Sequence, residues 1–152
     1  MIRKMSSGLS EASLAKFARQ VQRTIGLQGE VNILLAGNDE LRVLNSRFRG
    51  IQRPTDVLSF PAASRNGFAG NLAISVDYAV ANASKLGHTA VEEIKILILH
   101  GFLHLAGYDH ERDHGEMAAR EGELRAQLRL PESLIERNNP PKLRPAKGQK
   151  RR

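Results

Sequence analysis

Apolar residues recur along this chain with two spacings, and the spacings predict its elements. Leu14, Phe17, Ala18, Val21 and Ile25 follow helical steps, with Ser10 placed to cap the helix and Gly26 to end it. Val31, Ile33 and Leu35 alternate, which predicts a strand. Asn38 is placed to cap a second helix carrying Leu41, Leu44 and Phe48, with Gly50 after it. Residues 57–60 form a short strand candidate between Pro54 and Pro61, and AASRNG reads as a loop. Leu72, Ile74 and Val76 alternate in another strand, and Asp77 is then placed to cap a helix running to about Leu86. Thr89 and Glu92 form a capping box, and the helix behind them is apolar nearly all round to about Ala106, the pattern of a buried helix. Gly107 suits its stop. A last helix spans roughly residues 115–129, with Met117, Leu124 and Leu128 available for packing. The order is α, β, α, β, β, α, α, α. It predicts an α+β fold: a small mixed sheet packed against several helices, with the buried helix central.

Length and composition narrow the class. A chain of 152 residues with 41% hydrophobic and 26% charged residues suits one soluble globular domain, placed here at residues 1–137. The longest apolar stretch, residues 94–106, is shorter than the roughly 20 residues a membrane helix needs, and it carries Lys95, His100 and His104. No continuous apolar run follows the early positive charges, so no secretory signal is expected. The absence of cysteine excludes a disulfide scaffold, a thiolate metal site and a cysteine nucleophile, and it suits a cytoplasmic setting. Six basic residues and no acid occupy the last eleven positions, so of the net charge of +7 only +1 belongs to the rest. Residues 138–152 are expected to form a disordered basic tail suited either to a polyanion such as RNA or simply to solvent.

The candidate chemistry lies in HGFLHLAGYDHERDH. His100 and His104 sit one turn apart on one face of the apolar helix, where both can reach a single ion. A buried imidazole needs a polar partner, and two at this spacing point to a metal. Gly107 breaks the helix and lets the chain return with His110; a chain continuing as helix would bring His114 instead. Three imidazoles hold zinc at roughly 2.0–2.1 Å with one coordination position open, and a zinc-bound water has a pKa near about 7. Asp109 and Asp113 are candidates to orient the ligand rings. His88 reads as a surface residue. The same histidine spacing occurs in metalloproteases whose motif places a catalytic Glu after the first His; here that position is Gly101, which disfavours peptide hydrolysis by that route. Upstream, Arg47, Arg49 and Arg53 precede a strand, and an arginine there can hold a phosphodiester beside the metal or form part of a solvated basic loop.

HGFLHLAGYDH and RPTDVLSFP, together with LNSRFRG, GNLAIS and Asp113, Met117 and Glu121, closely resemble the bacterial YbeY family. The resemblance covers about half the chain. It implies a zinc-dependent endoribonuclease specific for single-stranded RNA, acting in small-subunit ribosomal RNA 3′-end maturation and ribosome quality control. By the resemblance His100, His104 and His110 are the ligands of one zinc ion, and Arg49 contacts the RNA phosphate. The implied partners are ribosomal RNA and the small ribosomal subunit with its proteins, and no membrane. The chain departs from the family pattern at Asn71, where an acidic residue is usual. Two other functions fit parts of the sequence: a metalloprotease-like zinc hydrolase, and a non-catalytic ribosome assembly factor with a structural zinc held by four ligands.

Overall fold

The computed structural model of the chain describes residues 2–4, 10–62 and 67–131. Among the described residues, four strands and five helices follow in the order β1 (Ile2–Lys4), α1 (Glu11–Ile25), β2 (Glu30–Ala36), α2 (Asn38–Arg49), β3 (Val57–Pro61), β4 (Phe68–Ser75), α3 (Val76–Leu86), α4 (Ala90–Leu105) and α5 (Glu116–Gln127). The fold is α+β, with a mixed sheet in the order β1-β2-β4-β3. β1, β2 and β4 run parallel, and β3 pairs antiparallel with β4 at the sheet edge. β1 escaped the sequence pattern because three residues carry no readable period, and its backbone pairing with β2 alone defines it.

The alternation of β2 sorts its side chains to two faces. Val31, Ile33 and Leu35 enter the main core with Leu14, Phe17 and Val21 of α1 and most of the apolar residues of α4. Leu34 and Ala36 point the other way, toward a smaller cluster with Leu41, Leu58 and Ala73 under α2. α4 touches α1, α3, α5, β3 and β4. Ile94, Leu97, Ile98, Leu99 and Leu103 on it lose all contact with water, as its unbroken apolar sequence requires. Ala69 is the extra residue where the β2–β4 register shifts, and Gly70 beside it takes φ 149°. A side chain there would strike the Phe60 carbonyl and Leu105.

Helix ends show where local chemistry and local sequence part. Ser10 caps α1 by accepting from Ser13 N, and Thr89 with Glu92 forms the box at the start of α4, both as the sequence predicts. The cap of α2 is Gly37 rather than Asn38, with Glu40 accepting from the Gly37 N–H. Asn38 lies inside the helix, and its side-chain oxygen accepts from the Ser75 hydroxyl at 2.6 Å. Likewise Ser75, not Asp77, caps α3 by accepting from Tyr78 N, so Val76 opens the helix instead of ending the strand. Asp77 turns to the neighbouring helix and accepts from Asn38 N at 2.8 Å. The start of α2 is thus served by a side chain from the start of α3, 39 residues away, which a pattern confined to one segment does not reveal. The AASRNG loop falls largely outside the described residues, as does the basic tail at 138–152. No helix among the described residues is long and apolar enough to cross a membrane.

Candidate metal centre and cleft

The site is built on the C-terminal end of α4. The helix stops at Leu105, and Gly107 takes φ 105°, a conformation that L side chains rarely adopt. Gly107 N donates to His104 O and Tyr108 N to Leu103 O, the paired bonds of a Schellman stop. The chain then turns over Asp109, whose carbonyl accepts from Arg112 N and Asp113 N. This reversal carries His110 back over the helix end. The ring centroids of His100 and His104 lie 4.8 Å apart, and each lies 5.4 Å from that of His110. One ligand nitrogen from each ring falls within 4.8 Å of the others. His114 is exposed and lies outside this group.

Hydrogen bonds fix which ring atoms remain free. His100 Nδ1 bonds Glu121 Oε2 at 2.7 Å, with the Glu121 side chain wholly buried. His104 Nδ1 bonds the Tyr108 carbonyl at 3.0 Å. Both rings therefore present Nε2 to the shared space, the arrangement by which outer partners set a ligand's tautomer. His110 Nδ1 is buried and has no hydrogen-bond partner among the described residues. Three convergent imidazoles, two already oriented and one with an unspent nitrogen, fit a borderline-soft divalent cation such as zinc. Burial, then the charge that a protonated His100 would carry, holds the His104 imidazolium below its ordinary pKa, and His110 adds to the effect. At neutral pH that ring is the free base that a metal requires.

The orienting residues differ from those the sequence suggested. Asp113 spends its two oxygens on Gly115 N and Met117 N at the start of α5, which lowers its carboxyl below the ordinary carboxylate range. Asp109 accepts from Glu111 N and lies 3.6 Å from Arg112. The orienting carboxylate is Glu121 on α5, recognisable beforehand only as part of the matched motif. His88 is not a surface residue: its ring bonds Glu93 at 2.7 Å and its side chain is 10% exposed.

The three imidazoles form one wall of an open cleft of about 540 Å³. Arg49, at the end of α2, lies on its rim, and Thr55, Asp56 and Ser59 come from the segment leading into β3 and from β3 itself. Of the three arginines singled out upstream, Arg49 lines the cleft; Arg47 and Arg53 do not. Asp56 carried no role in the sequence reading. Burial raises its carboxyl above the ordinary range, opposed by the hydrogen bond it accepts from Val57 N at 2.8 Å. Gly101, at the position of the metalloprotease glutamate, is buried against β4. A Cβ added there would lie 2.6 Å from Leu72 Cδ2. That position faces the sheet, so a glutamate built on it would not reach the cleft. Asn71 also stands away from the histidines: it sits on the opposite side of β4 and bonds Asn32 at 3.3 Å.

Fold and site together define a class: an α+β domain in which three histidines able to hold one cation open into a cleft with an arginine on its rim. The family profile of endoribonuclease YbeY matches residues 3–129. The endoribonuclease YbeY of Koribacter versatilis is 52% identical over 99% of both chains. That of Solibacter usitatus is 45% identical over 89% of this chain and 90% of its own. A solution structure of a Thermotoga maritima protein superposes with a TM-score of 0.57 at 31% identity, covering 85% of this chain and 92% of that one. The chain belongs to the endoribonuclease YbeY family.

Proposed function

We propose that this protein is a zinc-dependent endoribonuclease that cleaves single-stranded ribosomal RNA, with His100, His104 and His110 as zinc ligands and Arg49 as the phosphate-binding residue. The observation that carries the reading is the convergence of three imidazoles on one wall of a cleft whose rim bears Arg49. Zinc, when bound, supplies Lewis-acid activation of water and of the phosphoryl oxygens. The chain's own residues do the rest. Glu121 and the Tyr108 carbonyl hold His100 and His104 in one tautomer and one orientation. The Arg49 guanidinium offers two parallel donors to a phosphodiester and favours the charge that grows on it as the bond breaks. The cleft is open at its rim, so an unpaired strand can reach its floor. The family's naming supports RNA as substrate. The small ribosomal subunit as partner, its RNA 3′ end as target and a cytoplasmic location follow from the family resemblance and belong to this proposal.

The alternatives meet specific obstacles. A metalloprotease mechanism lacks its base, because position 101 faces Leu72. A closed structural zinc needs a fourth ligand, and among the described residues the group holds three histidines and no carboxylate or further histidine. The decisive experiment combines metal analysis of the purified protein with cleavage of ribosomal RNA and of casein, each with and without chelator. Chelator-sensitive RNA cleavage is expected, and His104→Ala should lose both the metal and at least a hundredfold in rate. Full RNA cleavage by zinc-free His104→Ala, or chelator-sensitive casein cleavage without RNA cleavage, would overturn the proposal.

A further inference from the structure

A second concavity, of about 560 Å³, lies on the sheet face under α2, across β3 from the histidines. Leu34, Leu44, Phe48, Phe60, Asn32 and Asn71 line it. We propose that it is a nucleobase subsite, taking one unpaired base of the RNA strand whose phosphate Arg49 holds; the inference rests on the endoribonuclease reading above.

Three observations converge on a base. The first is the aromatic rim. Phe48 is 59% exposed, though it lies on a helix whose neighbouring apolar residues Leu41 and Leu44 are turned inward. Its ring meets Phe60 at 5.2 Å and 64°, edge to face, which leaves a free aromatic face at the groove mouth. The second is charge. Phe48 stands between Arg47 and Arg49, all three exposed in the last turn of α2. Cations interleaved with an exposed ring are the platform on which single-stranded nucleic acids stack while their backbone is neutralised.

The third observation is the polar pair within the groove. Asn32 Nδ2 donates to Asn71 Oδ1 at 3.3 Å. Among the described residues this is the only side-chain hydrogen bond of either amide, so the pair keeps the carbonyl oxygen of one amide and the NH2 group of the other unengaged. The same count holds if both amides are turned over. A donor beside an acceptor is the complement of a base edge, whereas an aliphatic ligand would leave both groups unpaired at a cost.

The two concavities lie on opposite sides of β3. Ser59 and Pro61 of β3 line the cleft, while Phe60 between them lines the groove. Phe48 and Arg49 divide between the two in the same way at the end of α2. A strand with its phosphate on Arg49 therefore has the groove at the position of an adjacent nucleotide.

The chain contains no tryptophan, so Phe48→Trp installs a single indole, excited selectively over the two tyrosines, at the groove mouth of the zinc-loaded protein. Unlabelled single-stranded oligoribonucleotide is expected to quench it, and an abasic oligomer of the same length is not. In parallel, Phe48→Ala is expected to raise KM for base-bearing RNA by about tenfold or more, the scale of one lost stacking contact. It should leave kcat nearly unchanged and KM for a substrate abasic at the adjacent positions unaltered. Equal quenching by both oligomers, or unaltered KM in Phe48→Ala with cleavage intact, would overturn the subsite and leave the nuclease reading standing. Failure of the zinc-loaded wild type to cleave RNA at all would take both down together.

Discussion

At the scale of single residues, the site depends on atoms that never touch a cation. Glu121 accepts from His100 inside the protein, where few water molecules compete, and it makes that imidazole a better ligand. We predict that Glu121→Gln, which keeps the shape and removes the charge, weakens zinc binding by about 10–100-fold. Competition against a chromogenic chelator measures it, and unchanged affinity would mean that the 2.7 Å bond has no electrostatic role. Gly101 makes the opposite point, that a small residue can matter for what it leaves out. Its missing side chain lets α4 lie against Leu72, and Gly101→Ala is expected to destabilise the fold by about 1–3 kcal/mol through overpacking, despite alanine's better helix propensity. Urea denaturation decides the sign.

Among elements, α4 shows how far sequence reasoning reaches. Its capping box, its apolar run, the two histidines one turn apart and the glycine stop are all local, and local chemistry dictated them. The return of His110 followed from one glycine. The choice of Glu121 over Asp109 and Asp113 as the orienting carboxylate did not. It depends on α5 packing against α4, a contact between segments 21 residues apart in which the nearer acids are spent on backbone N–H groups. The start of α2, served by a side chain from the start of α3, was hidden for the same reason. Asp56 entered the cleft only once β3 was placed at the sheet edge. The α4 cap also carries a pH prediction. Hydrogen bonds from Thr89 hold the Glu92 carboxyl below its ordinary pKa. A carboxyl whose pKa is lower folded than unfolded adds stability above its unfolded value, near about 4.3, and that stability is lost as pH falls through the folded value. Glu92→Gln should therefore be less stable than wild type at pH 7, and the difference should shrink as pH falls below the unfolded value and through the folded one. A gap in melting temperature that stays constant over that range would contradict this account.

For the whole molecule, the helix that carries two of the histidines is also the one on which α1, α3, α5 and the sheet pack. Metal binding and folding are therefore linked, since a ligand that binds only the folded chain stabilises it by mass action. At a hundredfold excess over Kd the gain is about 2.7 kcal/mol, and for a chain of this size it corresponds to a rise in Tm of about 5–10 °C. Chelator should lower Tm by that amount and added zinc should restore it. His104→Ala should show neither change in calorimetry.

The bond from Glu121 to His100 has one more consequence. Synthesis runs from the N-terminus, so a growing chain acquires all three imidazoles before it acquires the carboxylate that steadies the first of them. Until α5 has emerged and docked, the flank of α4 it will cover stays wet and His100 lacks its anchor. The finished geometry, and with it the capacity to cut, thus waits on a helix made after all three of the imidazoles it serves.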